Sequence, residues 1–158
     1  MSAVAPASGA GGAAPGAKAA AEPSADGAAR GSCLCGRVAY EVGPGAWNLF
    51  YCHCSRCRKA RAAAHGANAF FERADFAWLR GESELRSYKI PEAARFAQTF
   101  CATCGSPMPS VRTERVVVPV ATLDTAIAKP HARHIHVASK APWFEIADSW
   151  PQHAELPS

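Results

Sequence analysis

Seven cysteines in 158 residues fall into three groups: Cys33-x-Cys35, Cys52-x-Cys54-x-x-Cys57 and Cys101-x-x-Cys104. The outer two groups constrain the fold most, because each is followed at once by glycine, Gly36 and Gly105. A thiolate-binding knuckle turns sharply so that backbone N–H groups face sulfur, and glycine tolerates the positive φ this needs. Two such pairs supply four thiolates, a complete tetrahedral shell for zinc. Joining them ties the start of the domain to its centre and removes loop entropy from the unfolded chain. Cys33, Cys35, Cys101 and Cys104 are therefore assigned to one structural zinc.

The middle group has a different character. Three thiols in six residues are too dense for chance and too odd in number for a simple disulfide framework. Cys57 is followed by Arg58, not glycine. Cys52 and Cys54 leave a strand on one face, and Cys57 comes from the first turn of a helix, so three sulfurs can gather on one metal. Three protein ligands and an exchangeable fourth position are the pattern of a catalytic zinc. The helix N-terminus and the cations Arg56, Arg58, Lys59 and Arg61 favour thiolate over thiol. Two alternatives stand beside this one: closure of the site by a histidine, with His65 better placed than His53, or a metal-free cluster of reactive thiols. Three anionic donors leave a zinc ion weakly acidic, suited to an incoming thiol more than to water. A thiolate attacks a carbonyl carbon, so the ligand set points to thiol plus aldehyde giving a hemithioacetal, or the reverse.

The surroundings bound the rest. Residues 1–30 are Ala, Gly, Pro and Ser with four charges and no large apolar residue beyond Met1 and Val4, and read as a disordered tail. They lack the basic start and apolar run of a signal peptide. No stretch approaches the roughly 20 apolar residues of a membrane helix. Seven cysteines without a secretory signal indicate reduced thiols, metal and a cytoplasmic location. The formal charge is +4; seven thiolates on two divalent zinc ions would bring it to +1. With no basic run interleaved with aromatics, a nucleic-acid partner is not expected.

Residues 31–150 are expected to form one domain and 151–158 a C-terminal tail. Val38, Tyr40 and Val42 alternate with Arg37, Ala39 and Glu41, the period of a half-buried strand. Residues 47–51 form a second strand that delivers Cys52, and 55–64 a short helix ended by Gly66. Strands follow at 67–72 and 76–79, a hairpin at 85–90 and 94–100, and a strand at 115–120. A helical turn is expected within 121–128, and a last strand at 134–137. Short strands, frequent Gly/Pro turns and no βαβ rhythm give a mainly β domain of short antiparallel sheets with one short helix, stabilised by zinc.

The order Cys-x-Cys-Gly, then Cys-His-Cys-Ser-x-Cys-Arg-Lys, then Phe-Cys-x-x-Cys-Gly-Ser-Pro resembles the glutathione-dependent formaldehyde-activating enzyme family, whose domain is shared with centromere protein V. Residues 139–144, Ser-Lys-Ala-Pro-Trp-Phe, resemble the end of many members. The resemblance spans about 31–146. It implies an Mss4-like β fold, a structural zinc on Cys33, Cys35, Cys101 and Cys104, and a second, catalytic zinc on Cys52, Cys54 and Cys57. It further implies glutathione or a similar thiol and formaldehyde or another small aldehyde as partners, carbon–sulfur lyase-type activity, and allows a homodimer. After Cys57-Arg58-Lys59 many members read Ala-Thr-Gly-Ser, where this chain has Ala60-Arg61-Ala62-Ala63-Ala64-His65. A zinc-stabilised protein-binding module is the reading from another class.

Arg56, Arg58, Lys59 and Arg61 can hold carboxylates of the thiol or simply form a solvated helix face. His134 and His136 are expected on one strand face, as a structural pair more than a metal pair. Trp78, Trp143, Phe144 and Trp150 are expected to pack core and tail.

Overall fold

A computed structural model describes residues 21–22, 27–44, 47–93, 96–127 and 131–157. In chain order its elements begin with β1 (Ala29–Ser32), β2 (Ala39–Val42), β3 (Asn48–Cys52), α1 (Ser55–Arg61), β4 (Gly66–Glu72) and β5 (Phe76–Arg80). They continue with β6 (Leu85–Lys89), β7 (Ala97–Cys101), β8 (Pro107–Met108), β9 (Ser110–Val111), β10 (Arg115–Pro119) and β11 (His131–Ile135). The fold is mainly β, with antiparallel sheets and one α-helix among the described residues. The sheets run β1-β2-β5, β11-β3-β4-β10-β9 and β6-β7-β8, and the one parallel pairing among these strands joins β11 to β3.

The core follows from period-2 patterning. Val38, Tyr40 and Val42 are fully buried and Glu41 only half so, but Ala39, expected to face out with it, is also buried, because β2 is the middle strand of its sheet and this small side chain is covered on the second face. On β4, Ala69 and Phe71 enter the core and Phe70 faces out; on β10, Val116 and Val118 enter it. Each large side chain so buried contributes about 1.5–3 kcal/mol. Tyr40 takes its hydroxyl inside with it and pairs it with Thr122 Oγ1 at 2.8 Å, so burial leaves no polar group unpaired there.

Several boundaries differ from the sequence reading for identifiable reasons. The first strand starts at Ala29, ahead of Gly31, because its register with β2 runs Ala29↔Val42 to Ser32↔Ala39. Ala21 forms a bridge to Thr125; residues 1–20 and 23–26 of the expected tail lie outside the described residues. The helix ends at Ala62, which takes a left-handed conformation (φ 47°) and donates its N–H back to Lys59. Gly66 instead opens β4. The segment after Trp150 is not detached: Gln152 bridges His134, and the Pro151 and His153 backbones bond to His134, covering the free edge of β11.

Candidate metal centres

The four knuckle sulfurs converge. Cys33, Cys35, Cys101 and Cys104 place their sulfurs within 4.8 Å of one another, across 66 residues of sequence between Cys35 and Cys101. Cys33 to Cys35 is 3.5 Å and Cys35 to Cys101 is 3.9 Å. A tetrahedron of sulfurs at about 2.3 Å from zinc has edges of about 3.8 Å, so the set fits a four-coordinate ion. Gly36 and Gly105 both have φ of 72°, and each N–H returns to the first cysteine of its knuckle, Gly36 to Cys33 O and Gly105 to Cys101 O, at 2.9 Å. An added Cβ would meet nothing at either glycine, so it is the backbone conformation that selects the residue. The Val38 N–H points at Cys33 Sγ from 3.3 Å. At Cys104 burial works to raise the thiol pKa, but hydrogen bonds from Ser106 and from the Cys35 backbone outweigh it and lower it to about 6.

The triad is assembled by one strand end and one helix start. Cys52 is the last residue of β3, Cys54 is the N-cap of α1, and Cys57 lies in its first turn. Their sulfurs also lie within 4.8 Å of one another, with Cys52 and Cys54 3.5 Å apart. Cys54 Sγ accepts the Cys57 N–H, the bond that an N-cap side chain makes. Hydrogen bonds from the Cys52 and Cys57 thiols hold Cys54 well below the ordinary thiol range, and the same contacts with Cys52 and Cys54 push Cys57 up. The Cys57 N–H facing Cys54 Sγ favours negative charge on that sulfur. Among the described residues no histidine nitrogen or carboxylate oxygen joins all three sulfurs within that span, so neither His53 nor His65 closes the set. Three sulfurs at this spacing fit one face of a tetrahedral zinc shell.

Beside the triad the chain packs closely. Gly66 stands opposite Cys52 in the β3–β4 register, and a Cβ there would lie 3.2 Å from Cys57 Cβ and 3.3 Å from Asn68 Nδ2. Arg61 follows Cys57 by four residues, on the same face of α1. Its Nη2 donates to Asn68 Oδ1 at 3.4 Å, while Nε and Nη1 are buried without a partner.

Behind the triad lies a hydrogen-bonded chain. His53 Nε2 is 2.8 Å from His134 Nδ1, and His134 Nε2 is 3.1 Å from both carboxylate oxygens of Asp148. A carboxylate only accepts; the backbone N–H of Trp150 and then His134 hold Asp148 below its ordinary pKa. An Nε2–H on His134 is held toward Asp148, and His134 Nδ1 shares one hydrogen with His53 Nε2. His53 Nδ1 is buried with no hydrogen-bond partner. His65 packs edge-on against Tyr51, His53 and Phe144, with its own Nδ1 unpaired. Burial lowers His53 to about 4 and also lowers His65, so both rings are neutral near pH 7.

The sequence candidates thus scatter as well as gather. Arg58 is spent on the His53 carbonyl, 3.2 Å away, while Arg56 and Lys59 face solvent. His134 and His136 do not share a strand face: β11 ends at Ile135, and His136 adopts φ 57° and pairs with Glu155. Trp78 packs on Tyr40 and Phe76, but Trp143 is 71% exposed and Trp150 is also on the surface, which corrects their expected packing role. Sequence reasoning passed over Asn68 and Asp148, which have no motif around them; only strand register and the return of the C-terminal segment bring them to the cysteines and histidines.

The family model for glutathione-dependent formaldehyde-activating enzyme matches residues 28–139. No curated protein sequence matches the chain at a significant level. Among solved structures, the crystal structure of a Rhodobacter sphaeroides protein is similar, with a TM-score of 0.51 and 30% identity over 61% of this chain and 89% of that one. The family match takes in every cysteine of both sulfur clusters and most of the sheets around them, and on it the chain belongs to the glutathione-dependent formaldehyde-activating enzyme family.

Proposed function

We propose that the chain is a zinc-dependent carbon–sulfur lyase-type enzyme, similar to S-(hydroxymethyl)glutathione synthase, that adds glutathione or a similar thiol to formaldehyde or another small aldehyde. The observation that carries this reading is the three-sulfur cluster with no fourth protein ligand among the described residues. Its contrast with the complete four-sulfur cluster supports separate roles: Cys33, Cys35, Cys101 and Cys104 for a structural zinc, and Cys52, Cys54 and Cys57 for a catalytic one. A zinc ion held by the triad would supply a coordination position at which a thiol loses its proton near neutral pH.

The chain's own residues do the rest. Cys54 anchors the cluster to the first turn of α1, where the Cys57 N–H faces its sulfur. The buried His53–His134 pair fixes the backbone between Cys52 and Cys54 from the opposite side. In the addition, the thiol sulfur forms a bond to the carbonyl carbon, the C=O π pair moves to oxygen, and the oxygen takes up a proton. Nothing is oxidised or reduced.

A second reading is a zinc-stabilised binding module without catalysis. It is favoured by Leu34, 80% exposed at the tip of the first knuckle, where a partner could cover it. Metal content with one mutant separates the two. The enzyme reading expects two zinc ions per chain and a Cys54→Ser protein that stays folded, keeps one zinc and no longer binds glutathione. Unfolding of Cys54→Ser would make the triad a structural site and end the catalytic reading. No helix among the described residues is long and apolar enough to cross a membrane.

A further inference from the structure

Strand β4 carries two poor strand formers, Gly66 and Asn68, two residues apart. Side chains alternate along a strand, so Phe50 and Cys52 share one face of β3. In register, Cys52 stands opposite Gly66 and Phe50 opposite Asn68, which puts Gly66 and Asn68 on that same face of β4. From the position a Cβ would take on Gly66, the nearest atoms are Cys57 Cβ at 3.2 Å, Asn68 Nδ2 at 3.3 Å and Arg61 Cγ at 3.6 Å. The Asn68 amide nitrogen and the triad's Cys57 therefore face one point over a residue that has no side chain.

The amide is oriented. Arg61 Nη2 lies 3.4 Å from Asn68 Oδ1, and a guanidinium only donates, so the oxygen of the amide belongs on the Arg61 side and the NH2 on the side of Gly66 and Cys57. Among the buried polar side chains, His53 and His134 bond to each other and Thr125 accepts from the Arg30 N–H. Asn68 Nδ2 has no partner among the described residues, yet unlike Arg61 Nε and Nη1 it is not sealed from solvent. A neutral donor is thus held ready beside the sulfurs with its hydrogens unused. Such a group gains most from an acceptor that acquires charge during a reaction.

We propose that Asn68 donates an Nδ2–H hydrogen bond to the aldehyde oxygen as the thiol adds to the carbonyl carbon. This rests on the thiol-addition reading of the triad and adds to it a residue that touches the reacting atoms. The sulfur–carbon bond forms, the C=O π pair moves to oxygen, and the oxygen takes up the proton that the thiol gives up. Asn68 keeps both its hydrogens, and nothing is oxidised or reduced. In the reverse direction the same bond holds the oxygen while the sulfur–carbon bond breaks. Arg61 is a positioning residue, acting through the amide oxygen.

Asn68→Asp separates this role from a merely structural one, because the carboxylate keeps an oxygen for Arg61 and has no hydrogen to give. Exchange NMR of glutathione, formaldehyde and their adduct, with the zinc-loaded full chain, gives kcat and KM above the uncatalysed background. Asn68→Asp and Asn68→Ala should each lower kcat about 100-fold, the loss of one donor to a developing oxyanion. Both should keep two zinc ions and hold glutathione, by calorimetry, within about threefold of wild type. In 15N-labelled wild type the Asn68 side-chain amide, identified by its loss in Asn68→Asp, should shift when formaldehyde is added to the glutathione complex and not with glutathione alone. Wild-type kcat in either variant, an equal loss of glutathione affinity in both, or an amide that formaldehyde does not move would overturn the assignment. Failure of both variants to fold with two zinc ions would make Asn68 structural and overturn it as well. A wild-type protein that does not accelerate the exchange would remove the thiol-addition reading itself, and this inference with it.

Discussion

His53 Nε2 and His134 Nδ1 face each other at 2.8 Å, between two imidazoles shut off from solvent and 81 residues apart in sequence. The contact ties the loop between Cys52 and Cys54 to β11 and, through Asp148, to the C-terminal segment. Replacing His134 by leucine strips His53 Nε2 of its hydrogen-bond partner while the ring stays buried. The expected loss is about 3 kcal/mol of unfolding free energy, measured by urea denaturation of the zinc-loaded protein. Asp148→Asn should cost less, because the carboxylate is 44% exposed and asparagine still accepts. A His134→Leu protein as stable as wild type would show that the pair is incidental to the fold.

Buried His53 and half-buried His65 set a pH dependence. His53 is lowered from 6.5 to about 4 by burial first, and His65 is lowered by burial as well. Between those values the unfolded chain binds more protons than the folded one, so stability rises with pH through the window. The contribution is complete above about pH 6.5 and is lost as pH falls toward 4. Thermal unfolding from pH 7.5 to 5.5, with zinc in excess, should show the decline. His65→Phe should flatten it without lowering stability at pH 7.5, since the ring's Nδ1 has no partner to lose. An identical slope in that variant would count against His65 as a titrating element.

Cys104→Ser tests the four-sulfur site. The clip joins the turn before β2 to the end of β7, and Cys33 and Cys101 lie inside the core. Structural zinc binding is worth about 10–16 kcal/mol in small domains, as large as a whole domain's stability of about 5–15 kcal/mol. The variant should fail to fold to a soluble protein, read by circular dichroism and yield. A cooperatively folding Cys104→Ser protein would overturn the structural assignment.

Gly66→Ala probes the triad without touching a ligand. The new methyl group sits 3.2 Å from Cys57 Cβ, against the N-terminal half of α1, and that contact must give by a few tenths of an ångström. The expected result is a folded protein that, once loaded with zinc, gives up the zinc of the triad to a competing chelator about tenfold more readily, a change of about 1.4 kcal/mol. Unchanged release of that zinc would mean that α1 absorbs the methyl group without moving Cys57.

The sequence determined a good deal by itself. The 2-3-2 grouping of cysteines and the glycines after Cys35 and Cys104 specify two sulfur clusters of different kinds, because positive φ is a local requirement that glycine meets. The alternation around Val38, Tyr40 and Val42 specifies a half-buried strand for the same reason: period-2 burial is written in neighbouring residues. Local chemistry also places Cys57 in the first turn of a helix, while the structure made Cys54, expected to leave the strand with Cys52, the cap of that helix. Only the tertiary structure decided what meets across distance. Strand register brought Gly66 and Asn68 against the triad, the parallel pairing of β11 with β3 put Arg133 over Phe50, and the returning C-terminal segment set Asp148 behind His134. It also left His65 outside the triad and turned His136 away from His134. None of these contacts has a local signature, since each depends on which edges pair and in what register, and the free energy that selects the pairing belongs to the whole core.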